Sequence, residues 1–201
     1  MTSEDRWIGD FGTKYAQFFT MDPPVLDAHW LKTWAVKRSK VVERLMKEMP
    51  RDTSILEIGC GPGNQMKMLK DMGFIDITGL DINAWAIEEA KRRGLDASVG
   101  SAFALPYPPK TFGLVFTCGV LSHLEPGRVG KAISEICRVA EKWVSGTEYV
   151  NNTGNGEFIW PANYKERFTA CDPGLKVCGK PQVLVSLGAG NLEAYLLKRR
   201  D

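Results

Sequence analysis

The chain reads as an α/β fold, a mostly parallel sheet with helices on both faces that ends in an antiparallel pair. Three observations predict it. Short apolar runs alternate with amphipathic helical stretches between residues 55 and 150, the pattern of repeated strand–helix units. The stretch Ser54-Ile-Leu-Glu-Ile-Gly-Cys-Gly-Pro-Gly63 passes from a strand with no polar alternation into a glycine turn and then a helix. Two final strand-like runs, 183–187 and 192–197, are separated by Gly188-Ala-Gly-Asn191, which suits a hairpin.

Taken in order, residues 1–28 show no clear period. They hold Trp7, Phe11, Tyr15, Phe18 and Phe19, with Gly9 and Gly12 between them. So many aromatics in a polar segment predict that it folds back onto the body of the protein. Asp22-Pro23-Pro24 breaks the chain, and one long helix is expected from there to Pro50. Its inner face carries Trp30, Trp34, Val41, Leu45 and Met49, with Lys32, Lys37, Arg38 and Lys40 around it. The opening strand at 55–58 leads into a helix over 64–72, closed by Gly73. A second strand spans 75–80 and ends in Asp81, and a helix over 84–93 closes at Gly94. Further strands are expected at 97–99 and 112–117. Val129, Ala132, Ile133, Ile136 and Ala140 mark a helix over 127–142, and 146–150 is a fifth strand. Residues 151–181 are rich in Asn, Gly and Pro, with only a turn of helix near 163–169.

At 201 residues the chain fits one domain over 1–201 that buries a core without disulfides. A formal net charge of +2 is too small to argue for nucleic acid or anionic lipid, and no nucleic-acid or membrane partner is expected. The start carries no secretory pattern, and no apolar run reaches the roughly 18 residues of a membrane span, so a cytoplasmic protein is expected. Five cysteines, an odd number, read as free thiols. Cys171 and Cys178 lack a zinc spacing and the chain has two histidines, so no metal site is expected.

The glycine turn decides the ligand class. A dinucleotide site wants Gly-x-Gly-x-x-Gly, yet position 64 is Asn and the third glycine stands at 63. Gly-x-Gly-x-Gly with Glu57 before it suits a ligand without a pyrophosphate, whose ammonium end can meet a carboxylate. Asp81, ending the second strand, can accept hydrogen bonds from both ribose hydroxyls, because an ionised carboxylate is acceptor-only. These residues resemble the seven-strand S-adenosylmethionine-dependent methyltransferases, over about 55–150. The resemblance implies a Rossmann-like three-layer sandwich with a seven-stranded sheet and an antiparallel final strand. It also implies that Gly59, Cys60, Gly61 and Gly63 cradle the methionine part, and that Asp81 binds the ribose with Ile82 and Asn83 against the adenine. Ser101, Ala102 and Phe103, after Gly100, would contact the adenine edge, although many members carry Asp where Ser101 stands. Thr117 and Cys118, before Gly119, would lie near the methyl group, and Tyr15 would close over the cofactor. Asp81 also reads as a cap for the following helix, and Cys60 and Cys118 as small buried spacers.

A narrower resemblance joins Trp7-x-Gly9-x-Phe11-Gly12-x-x-Tyr15, Phe116-Thr-Cys-Gly-Val-Leu-Ser-His123 and Glu148-Tyr-Val-Asn151 to methylases associated with pseudaminic acid biosynthesis, with Lys165-Glu-Arg-Phe168 as a further match. Val150 and Asn152 depart from that group's Tyr and Pro. Methyl transfer is an in-line displacement in which the protein positions the acceptor, and a hydroxyl acceptor needs a base. His123 is the candidate base. Tyr149, Asn151, Tyr164, Lys165 and Arg167 are candidate acceptor contacts, with 1–28 over the cofactor and 151–181 an insertion on the acceptor side. The Asn/Asp-Pro-Pro-Tyr/Phe signature of many nucleic-acid amino-methyltransferases is missing. A small polar acceptor, a sugar or sugar-derived metabolite, is therefore expected. The alternatives are a protein or nucleic-acid methyltransferase and a cofactor-binding protein without transfer activity.

Overall fold

The computed structural model describes residues 2–151, 158–186 and 190–200. Its sheet has seven strands: β1 (Ile55–Ile58), β2 (Ile77–Asp81), β3 (Asp96–Val99), β4 (Phe112–Cys118), β5 (Ala140–Asn151), β6 (Leu175–Leu184) and β7 (Asn191–Arg199). Their order is β3-β2-β1-β4-β5-β7-β6. All pairings are parallel except those of β7, which runs antiparallel to both β5 and β6. The expected architecture is therefore present. The chain reverses direction across the sheet between β1 and β4, and in open α/β sheets ligands bind outside the carboxyl ends of the strands at such a point.

Among the described residues eight α-helices flank the sheet: α1 (Ser3–Ile8), α2 (Asp10–Phe18), α3 (Pro23–Trp34), α4 (Arg38–Leu45), α5 (Asn64–Asp71), α6 (Ala84–Arg92), α7 (Val129–Val139) and α8 (Tyr164–Cys171). Side chains alternate across β1, so Ile55 joins Val41, Met66 and Ile87 of α4, α5 and α6 on one face. Leu56 and Ile58 join Ile133 and Ile136 of α7 and Phe168 of α8 on the other. Helices thus cover both faces of one buried sheet.

The structure corrects several expectations. The long helix from 23 to 50 is two helices, because Ala35 adopts a left-handed conformation (φ 55°) and ends α3. Trp30, Val41 and Met49 do face the core, but Arg38, expected among the solvated charges, is only 2% exposed. Of the stretch 1–28, read without period, the described part, 2–28, holds α1, α2 and the start of α3. Thr2 and Asp5 close a capping box that starts α1. The helix expected to reach 142 stops at Val139, and β5 begins there rather than at 146. The strand expected at 183–187 lies earlier, as β6, inside the stretch read as irregular. A bulge between Cys178 and Gln182, with Gly179 at φ 66° and Pro181 beside it, hides the strand period. Leu187, Gly188 and Ala189 of the expected strand and linker lie outside the described residues. Ile75, placed in the second strand, precedes it and is exposed.

One contact ties the antiparallel end of the sheet to the parallel part. Gly146 of β5 stands opposite Tyr195 of β7, and a methyl group there would sit 2.4 Å from Tyr195 Cζ. The ring is buried and cannot swing away. Gly146→Ala should therefore destabilise the fold by about 1–3 kcal/mol, as overpacking does, read as a lower urea midpoint with an unchanged slope. An unchanged midpoint would mean that the β5–β7 packing is looser than described.

Candidate active site

The site forms where β1, β2, β3 and β4 end. After β1 the chain turns through Gly59, Gly61 and Gly63, whose φ angles of 69°, 54° and 79° are left-handed. Gly59 and Cys60 donate their N–H groups to Leu80 O, pinning the turn to β2. A methyl group added at Gly61 would meet nothing within 4 Å, so here the backbone faces open space. Asp81 then joins two turns: its Oδ2 accepts from Gly61 N at 2.8 Å and its Oδ1 from Asn83 N at 2.8 Å. Burial raises its pKa, and the backbone N–H bonds oppose that shift. Each carboxylate oxygen keeps a further lone pair for a ligand hydroxyl.

These elements surround about 930 Å³ of empty space, part of it open to solvent. Of the residues expected to hold a cofactor, Tyr15, Gly59, Gly61, Asp81, Ile82, Ser101, Ala102, Phe103 and Cys118 line it. Asn83 does too, and it also caps α6 by accepting from Ala86 N. Glu57, Cys60, Gly63 and Thr117 do not line it. The Cys60 thiol is buried and packs on the Gly79 backbone, and Gly63 is the N-cap of α5, pressed against Leu95. Thr117 is buried beside Glu148.

Below the glycine turn runs a buried polar row that sequence reading caught only in part. Arg38 Nε donates to Gln65 Oε1 at 2.6 Å, Arg38 Nη1 to Thr147 Oγ1 at 3.0 Å, and Gln65 Nε2 to Glu57 Oε1 at 3.0 Å. Glu57 Oε2 is buried with no hydrogen-bond partner among the described residues. Burial pushes the Glu57 carboxyl up to about 8, against the opposing Arg38 charge. Arg38 itself forms no ion pair within 4 Å among the described residues. Neither Glu57 nor Arg38 is a pocket wall, so this row lies behind the glycine turn.

After β4, Cys118, Gly119 and Val120 lead into a short 3-10 turn, Leu121–His123. Buried Glu148 on β5 holds this turn: Oε1 accepts from Val120 N, and Oε2 from Ser122 N and Ser122 Oγ, at 2.9–3.1 Å. His123 lines the pocket, and its Nδ1 lies 2.9 Å from Phe158 O. A carbonyl oxygen only accepts, so Nδ1 carries the proton and Nε2 of the neutral ring is left as an acceptor. Burial lowers the His123 pKa. The ring lies between Trp7 and Tyr149, with centroids 5.2 and 6.3 Å away.

The amino-terminal helices cover the pocket, with Glu4, Trp7, Gly12, Tyr15, Ala16 and Phe19 among its walls. Polar latches hold them. Asn83 Nδ2 donates to Trp7 O at 2.9 Å, Ser3 binds both oxygens of Glu125, and Arg93 clasps Met21 O and Pro62 O.

The acceptor-side expectations fare less well. Tyr149 is not among the pocket walls, although its ring lies 6.3 Å from that of His123. Asn151 is exposed and accepts from Asn191 N, and Tyr164 is core, its hydroxyl donating to Trp160 O. Lys165 pairs with Glu193, and Arg167 lies on the surface over the Tyr164 ring. These four residues do not line the pocket, because α8 packs on α7, β5 and β6 instead of bending over the site. Among the described residues no cluster suits a metal ion, and no helix is long and apolar enough to cross a membrane.

Residues 55–142 match the family described as "Methyltransferase domain". Squalene methyltransferase 1 of Botryococcus braunii is 30% identical over 113 residues, covering 48% of this chain and 29% of that protein. The probable tRNA methyltransferase 9B of Homo sapiens is 31% identical over 99 residues, covering 49% of this chain and 21% of that protein. The chain thus spans less than a third of the length of either relative. Magnesium protoporphyrin IX methyltransferase from Synechocystis PCC 6803, solved with SAH bound, superposes with a TM-score of 0.76 over 98% of both chains at 13% identity. The matched segment carries β1 to β4, the glycine turn and Asp81.

Proposed function

We propose that the protein transfers a methyl group from S-adenosylmethionine to a small-molecule acceptor. The observation that carries this reading is Asp81, fixed by two backbone N–H groups at the pocket wall with acceptor capacity to spare. Asp81 receives the ribose hydroxyls, Gly59 and Gly61 let the backbone approach, and Ile82, Ala102 and Phe103 flank the base. Glu57 and Arg38, which are not pocket walls, both bond Gln65 at the start of α5, behind the glycine turn. The cofactor, when bound, supplies an electrophilic methyl group on a sulfonium. Trp7, Tyr15 and Phe19 exclude water above it. His123, with its Nδ1 proton held by Phe158 O, takes the acceptor's proton at Nε2. The expected acceptor is a polar metabolite carrying a hydroxyl, a sugar or sugar derivative, supported by the narrower resemblance at Trp7 to Tyr15 and at His123. Lys165 and Arg167, engaged elsewhere, have no part in holding it.

Asp81→Ala should weaken S-adenosylmethionine binding at least about a hundredfold, since two hydrogen bonds to a charged acceptor are lost. Calorimetry reads this, and an unchanged affinity would remove Asp81 from the site.

His123→Ala should slow turnover by about 10²–10⁴ while cofactor affinity holds. With its pKa lowered, His123 stays a free base at neutral pH, so the wild-type rate should fall only below the ordinary histidine value near 6.5. Turnover independent of pH in the wild type would make His123 a packing residue.

Glu57 has a folded pKa of about 8 against 4.5 unfolded, so between these values the native state binds the extra proton. Stability should therefore fall as pH rises through that window. Glu57→Gln should flatten the slope without abolishing it, because burial also raises Asp81 and Glu148. Urea midpoints from pH 5 to 8.5 test this, and parallel curves for the two proteins would count against a buried neutral Glu57.

A further inference from the structure

Two carboxylates line the pocket, Asp81 and Glu4. Only the first has a part in the reading above. Glu4 comes from the covering helix α1, whose start is fixed by the Thr2–Asp5 capping box and by the bonds of Ser3 to Glu125. Its side chain is 23% exposed and faces the turn after β3. There Oε1 accepts from Ser101 Oγ at 2.6 Å and Oε2 from Arg128 Nη2 at 2.7 Å.

The other polar groups near that turn are engaged. Ser101 spends its hydroxyl proton on Glu4 and accepts from Phe103 N at 3.1 Å. The Asn83 amide donates to Trp7 O and Thr13 Oγ1, and its oxygen accepts from Ala86 N. The remaining walls here, Ile82, Ala102, Phe103 and Leu124, are apolar and suit a flat ring. A donor group on the edge of such a ring therefore meets the Glu4 carboxylate, which offers lone pairs and no proton.

We propose that Glu4 accepts the exocyclic amino group of a purine, so that the covering helix rather than the sheet selects a 6-aminopurine over its 6-oxo counterpart. The inference rests on the nucleoside reading of the pocket. A 6-oxo group would set oxygen against carboxylate oxygen, a mismatch that sites built around buried polar groups reject strongly. It also makes α1 part of the binding site, so the cover closes on the base and is not only a shield.

Calorimetry on the full chain with S-adenosylhomocysteine and S-inosylhomocysteine tests it, using the wild type, Glu4→Ala and Glu4→Gln. The wild type should bind the adenosyl compound about tenfold or more tightly than the inosyl compound. Glu4→Ala should lose most of that preference through weaker adenosyl binding. Glu4→Gln keeps the size and latch position of Glu4, and its amide can donate to a 6-oxo group, so the ratio should approach one. Thermal melting of each variant without ligand checks the fold. A ratio unchanged in Glu4→Gln overturns the proposal, as does a wild type that binds both compounds equally. A wild type that binds neither overturns the cofactor reading itself, and this inference with it.

Discussion

The site depends on one carboxylate that holds two turns at once. Asp81 accepts from Gly61 on one side and Asn83 on the other, so the glycine turn after β1 and the start of α6 cannot move independently. The left-handed glycines let the chain come close enough for this to happen. Asn83 extends the link, because it also caps α6 and holds the covering segment through Trp7 O. The glycine turn, the start of α6 and the covering segment are thus all tied to the end of β2.

Burial is used here to keep polar groups in place and not merely to pack. Glu148 sits inside the sheet with three donors from the turn after β4, which sets where His123 stands. Arg38, Gln65 and Glu57 form a second buried row with one oxygen unmet. Charges in such positions carry a large desolvation cost and add little to stability by themselves.

What could be read from the sequence was local. The glycine turn, Asp81 and the helix caps at Gly73 and Gly94 follow short-range rules, and they appear where expected. Features that depend on distant partners were not legible. Arg38 looks like one more surface charge on a helix until Ala35 breaks that helix and turns it inward. Glu148 is one acid in a strand pattern, and only the fold brings the turn after β4 over it. Lys165 and Arg167 looked like anion-binding charges, but pairing of α8 with the sheet gives Lys165 to Glu193. Edge strand β6 was missed because its bulge breaks the period-two pattern. The Thr2-x-x-Asp5 signal for α1 was present, although the aromatic run after it has no clear period.

The bulge in β6 has a consequence beyond the strand itself. A sheet's outer strand offers unpaired backbone groups to any extended chain, and proteins blunt that offer with lysines, prolines and irregularities. β6 carries Lys176 and Lys180, a left-handed Gly179, and Pro181, which has no N–H to give. The opposite margin, β3, is four residues long and therefore a short template. The sheet that builds the pocket is thus guarded at both margins against adding a foreign strand, which would otherwise lead toward aggregation.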